Sequence, residues 1–101
     1  MKKLIDLLSQ LHTKDGFQFK KTVTVPWIGT ELDLTISVYC QNPTKIALTF
    51  AGRDGTITFE QNAPTITIPR LGLKTKLTAI NFNEQKAKFV LSGFPDIEYQ
   101  L

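Results

Sequence analysis

The sequence predicts an α+β protein that is mainly β. The expected form is a curved antiparallel sheet of about eight short strands, a meander or a partly open barrel, with one N-terminal amphipathic helix packed on its apolar face. Three observations predict it. Residues 2–12, KKLIDLLSQLH, repeat their apolar side chains at helical spacing. Residues 30–40, TELDLTISVYC, alternate apolar and polar without a break. Short alternating runs bounded by Gly, Pro and Asn then continue to the last residue.

The helix is predicted from Leu4, Ile5, Leu7, Leu8 and Leu11, which cover an arc of roughly 160° at 100° per residue. Lys2, Lys3, Asp6, Ser9 and Gln10 cover the rest, and Gly16 is a natural stop. Three turns are marginal alone in water, so the leucine face needs a surface to dock on.

Period 2 takes over at Phe17. Phe17, Phe19, Val23 and Val25 share one side, and Lys21 interrupts it, which points to an edge, a strand end or a bulge. Pro26-Trp27-Ile28-Gly29 forms a corner, with Trp27 and Ile28 as candidate exposed anchors. In the next strand Leu32, Leu34, Ile36, Val38 and Cys40 face inward, and Glu31, Asp33, Thr35, Ser37 and Tyr39 outward. Gln41-Asn42-Pro43 turns the chain. Ile46, Leu48 and Phe50 then form an apolar side, and Gly52-Arg53-Asp54-Gly55 signals a hairpin through its Asp-Gly pair.

Ile57 and Phe59, then Ile66 and Ile68, follow in further short runs. A longer strand through Leu71, Leu73, Leu77 and Ala79 slips phase to Ile80 and Phe82, which requires a bulge or a strand end. After a turn at 81–84, Ala87, Phe89 and Leu91 form another strand; Ile97, Tyr99 and Leu101 close the chain.

The 101 residues read as one domain, 1–101, large enough for a real core. An apolar fraction of 42% with 21% charged residues does not describe a disordered chain. The net charge of +3 permits an anionic partner without requiring one. The basic start lacks the uninterrupted apolar run of a signal peptide, and no stretch approaches a transmembrane span. The expected location is cytoplasmic.

Little catalytic chemistry is present. Cys40 is the one cysteine, so an intrachain disulfide and a cysteine metal cluster are excluded, and its inward position reads as a small buried hydrophobe. His12 is the one histidine, at the end of the predicted helix. A nucleophilic unit would have to join it to Cys40 or Asp15, which the spacing does not show. Glu31 with Asp33, and Asp96 with Glu98, share strand faces and read as solubilising pairs. No phosphate-binding or nucleophile-elbow motif occurs, so no enzyme, metal or cofactor is expected.

Lys14 to Phe19 departs from the aromatic strand of RNA-recognition domains, because Asp15 separates the basic residue from Gly16 and Gln18 stands where a small residue belongs. Phe17 and Phe19 read as core. Lys20, Lys21, Arg70, Lys74, Lys76, Lys86 and Lys88 keep single-stranded nucleic acid as a third-ranked partner. Thr22-x-Thr24, Thr56-x-Thr58 and Thr65-x-Thr67 suit the wet face of a sheet.

The leading expectation is a non-catalytic binding module for a hydrophobic or lipid-like ligand. Its slot would lie between helix and sheet and be lined by Leu4, Leu8, Leu11, Leu34, Ile36 and Val38. The outline is similar to lipid-binding tubes that wrap a curved sheet around a helix, a likeness of architecture that carries no site residue. The alternative is a protein-interaction or structural subunit acting through sheet edges, with a homodimer among its forms.

Overall fold

The computed structural model describes residues 5, 6, 9, 10, 16–40, 42 and 44–101. Eight strands follow one another: β1 (Phe17–Val25), β2 (Thr30–Tyr39), β3 (Lys45–Ala51), β4 (Asp54–Gln61), β5 (Thr65–Ile68), β6 (Leu73–Phe82), β7 (Lys86–Leu91) and β8 (Phe94–Gln100). One 3₁₀ turn, Pro69–Leu71, links β5 to β6, and Gly72 closes it in the left-handed conformation at φ 62°.

All pairings are antiparallel, in the order β1-β2-β5-β6-β4-β3 with β7 and β8 added on the other side of β6. This is not a meander. The β3–β4 hairpin is inserted between β2 and β5, and β6 serves two partners along one side. Leu73–Lys76 pairs with β5, and Ala79–Phe82 pairs with β4.

Among the described residues the α+β expectation is corrected to all-β, with eight antiparallel strands and no helix of seven or more residues. Of the stretch read as a helix, Ile5, Asp6, Ser9 and Gln10 have helical backbone, and Ser9 Oγ donates to the Ile5 carbonyl at 3.0 Å. Ile5 is 59% exposed, so it does not serve as a docked apolar side chain. Lys2, Lys3, Leu4, Leu7, Leu8, Leu11 and His12 lie outside the described residues. Among the described residues the core is built by the strands packing on one another.

That packing follows from distances. Strands sit about 4.8 Å apart, so a flat sheet would place β8 about 24 Å from β1 across five steps. Instead Phe19 lies 4.9 Å from Tyr99 and 5.8 Å from Phe89, centroid to centroid. Phe17 stacks on Phe19 at 5.6 Å and meets Phe89 at 6.1 Å. At the other end of β1, Trp27 meets Phe94 edge-on at 5.6 Å. The sheet therefore folds over at β6, and the first half packs on β7 and β8. Leu34, Ile36, Val38, Ile66, Ile68, Leu77, Ile80 and Phe89 are buried between the halves.

The alternation in β2 produces this directly: Leu34, Ile36, Val38 and Cys40 are buried, while Thr35, Ser37 and Tyr39 are half-exposed. β1 runs in unbroken register with β2, and Lys21 sits on an edge strand rather than at a bulge. The phase slip in β6 is a bulge. Leu77 pairs with Leu91 and Ala79 with Val90, so Thr78 is the extra residue. Its hydroxyl donates to the Val90 carbonyl at 2.8 Å, satisfying a group beside the broken ladder.

The hairpin signal also shifts. The two-residue loop is Gly52-Arg53, with Gly52 at φ 67°, and Asp54 already pairs with Ala51. Gly55 is on the strand for another reason. A side chain there would run into the ring of Phe82, its cross-strand neighbour. No helix among the described residues is long and apolar enough to cross a membrane.

Candidate functional site

Three strands end the sheet among the described residues: β1, β3 and β8. They differ in sequence. β8 carries Pro95, Asp96 and Glu98, and Lys86 Nζ reaches Glu98 Oε1 at 3.3 Å. β1 carries Lys20 and Lys21. β3 reads KIALTFA, with one charge at its start and none from Ile46 to Ala51. Lys45 is turned to Glu60 on β4 at 3.6 Å.

The side chains of β3 are unusual for the face they occupy. Ile46, Leu48 and Phe50 lie opposite Phe59, Ile57 and Gly55 of β4, and Ile57 is fully buried. They therefore project from the core face of the sheet. Yet Leu48 is 52% exposed and Phe50 55% exposed. The folded-over half reaches β7 and β8 but does not extend across β3. Ile46 and Phe59 still touch the core, and Phe50 packs edge-on against Phe82 at 5.9 Å. Leu48 and Phe50 form an apolar shelf that overhangs it.

A second exposed pair stands at the β1–β2 corner. Trp27 is 60% exposed and Ile28 50% exposed, on a turn closed by Gly29 N–H donating to the Val25 carbonyl at 2.7 Å. Their exposure is as expected at that corner.

Three of the six candidate slot residues fall among the described residues. Leu34, Ile36 and Val38 are enclosed by other core side chains, and Leu4, Leu8 and Leu11 lie outside the described residues. Cys40 is buried and free, and burial raises its thiol above the ordinary value of 9.0, with the Lys76 charge pulling the other way. His12 and Asp15, its conceivable partners, lie outside the described residues.

Comparison with family models, with curated proteins and with solved structures finds no match. The site must be judged on its own chemistry.

Asp33 accepts a hydrogen bond from Thr22 Oγ1 at 2.5 Å, and its backbone carbonyl accepts one from Arg70 Nη1 at 3.0 Å. Among the described residues no three potential ligands gather as a metal site. An open cavity of about 450 Å³ runs along the β1–β2 rim, lined by Lys20, Lys21, Thr22, Asp33, Leu34 and Thr35. Its lining carries charges of both signs.

The outward face of the first half-sheet is polar. Gln18, Ser37, Thr67 and Lys74 form a cross-strand row. Thr67 Oγ1 within it is buried without a hydrogen-bond partner. Phe17 and Phe19 point to the core side, so they present no stacking platform there.

Leu48 and Phe50 are the functional candidates that sequence reasoning placed in the core. Period 2 identifies their face correctly but carries no information about what covers that face. The one available signal was the lack of charge on the other side of the strand, where Ala47, Thr49 and Ala51 stand.

Proposed function

We propose that this chain is a non-catalytic protein-interaction module that works through the free edge of β3. The observation that carries it is the pair Leu48 and Phe50, each more than half exposed on an edge strand that is uncharged from Ile46 to Ala51. An open edge presents a row of backbone donors and acceptors, and an added strand can take them up. The overhanging shelf supplies what backbone pairing lacks, namely contact with side chains at alternate positions. The partner that suits it is an extended segment with apolar residues two apart.

The lipid reading is not carried forward, because Leu34, Ile36 and Val38 are packed by their own neighbours. A reducing location such as the cytoplasm accords with the free thiol of Cys40.

Panning a random-peptide display library on the folded protein tests the proposal. Enriched peptides should alternate apolar residues and lose binding to Leu48→Lys. If enrichment is equal on wild type and variant, the β3 edge is not the binding surface.

A further inference from the structure

We infer that the strand β3 accepts is β3 of a second copy of this chain, giving an antiparallel dimer with one sheet running through both subunits. This rests on the β3 edge being an interaction surface and goes on to name the partner.

The sequence of β3 is compatible with itself in a way that the sequence of β8 is not. A two-fold axis through Leu48 sets Leu48 against its own copy. It also sets Ile46 against Phe50, Ala47 against Thr49, and Lys45 against Ala51. Side chains of one face stay on that face, so both apolar shelves lie together. No two like charges oppose each other in this register, because Lys45 is the only charge on the strand. The same operation on β8 about Ile97 sets Asp96 against Glu98, two carboxylates, and Pro95 against Tyr99, where a donor is missing. Charge and donor patterns thus permit self-pairing at β3 and oppose it at β8.

The apolar geometry points the same way. Leu48 and Phe50 lie on the core side of the sheet, each more than half exposed and outside the buried core cluster. In the dimer the four side chains form a small apolar cluster across the axis. Each copy then covers the shelf of the other, as an isologous interface requires.

Sedimentation equilibrium over a roughly hundredfold range of protein concentration tests this, because an equilibrium dimer shifts by mass action. Wild type should move from monomer to dimer. Leu48→Lys, which sets two ammonium groups across the axis, should weaken association at least about tenfold. Phe50→Glu should do the same from a second position. Both side chains are largely exposed, and an unchanged circular dichroism spectrum and melting profile will show that each variant is folded.

A wild-type protein that stays monomeric throughout overturns the inference. Peptide panning then decides the β3 edge separately, since an extended peptide that binds wild type and not Leu48→Lys upholds the edge with a different partner. A dimer that survives both substitutions overturns the inference by placing the interface elsewhere.

Discussion

Two edges of the same sheet, β3 and β8, are built in opposite ways. β8 has Pro95, which cannot donate to a neighbour, and Asp96 and Glu98, which repel a strand like itself. Its apolar residues Phe94 and Ile97 are buried beneath the folded-over half. β3 has none of these devices over Ile46–Ala51, and its apolar residues project past the covered core. The chain places such devices on β8, and lysines on the β1 edge, but none on this stretch of β3. The bare edge is where another strand can add.

The largest effect should come from testing whether the two faces differ in cover. Phe89 and Phe50 both lie on the core side of the sheet, one sealed and one overhanging. Phe89→Ala should cost about 3–5 kcal/mol of unfolding free energy, enough to threaten folding of a domain this size. Phe50→Ala in the monomer should cost less than about 1.5 kcal/mol, by its smaller burial. Equal costs in denaturant titration would mean that β3 is covered as well as β7, and the comparison would collapse.

Gly55 sharpens the same boundary, because the Phe82 ring lies over it where the core ends. Gly55→Ala should displace that ring and destabilise by about 1–3 kcal/mol. A thermal melt at the wild-type temperature would show that the ring moves freely.

Opening the blocked edge is the converse experiment. Replacing Pro95→Val, Asp96→Thr and Glu98→Thr together should change stability by about 1 kcal/mol or less, since the Lys86–Glu98 pair is exposed. It should nonetheless produce species larger than a dimer in light scattering, because two self-pairing edges per chain no longer close. If the triple variant sediments like wild type, those residues do not guard the edge.

The smallest effect concerns Cys40, on the covered side of β2. Burial raises its thiol above 9.0 in the folded state, so the unfolded chain loses its proton first as pH rises. Unfolded then binds fewer protons than folded, and stability falls. The contribution is intact below about pH 9 and is lost through the higher folded value. Wild type should therefore lose stability relative to Cys40→Ala between neutral pH and strongly alkaline pH. Parallel curves for the two proteins would contradict burial of the thiol.

How far the sequence discloses all this depends on the element. The alternation of residues 30–40 reads straight through to burial at Leu34, Ile36, Val38 and Cys40, because a strand has one physical period. The run Ala87, Phe89, Leu91 does likewise. The slip between Leu77 and Ile80 demands a bulge or a strand end, and only the structure shows that it is a bulge with Thr78 absorbing it.

Strand order is not legible. Nothing in residues 45–61 says that their hairpin is inserted between β2 and β5 and pairs with the far half of β6. Cover is not legible either: Leu48 and Leu34 carry the same pattern and differ only in what lies above them. The leucine spacing of residues 4–11 points to a helical lid and gives no hint that the aromatic cluster of Phe17, Phe19, Phe89 and Tyr99 brings the two halves of the sheet together.

The central claim is that β3 is a bare edge which pairs with a second strand of its own kind. Amide hydrogen exchange along β3 and β8, at low and high protein concentration, tests it most directly. Edge-strand amides alternate in direction, so the outward set of β3 should exchange at least about tenfold more slowly at the higher concentration, while β8 stays unchanged. Exchange along β3 that is independent of concentration, or protection that grows along β8 instead, would contradict it.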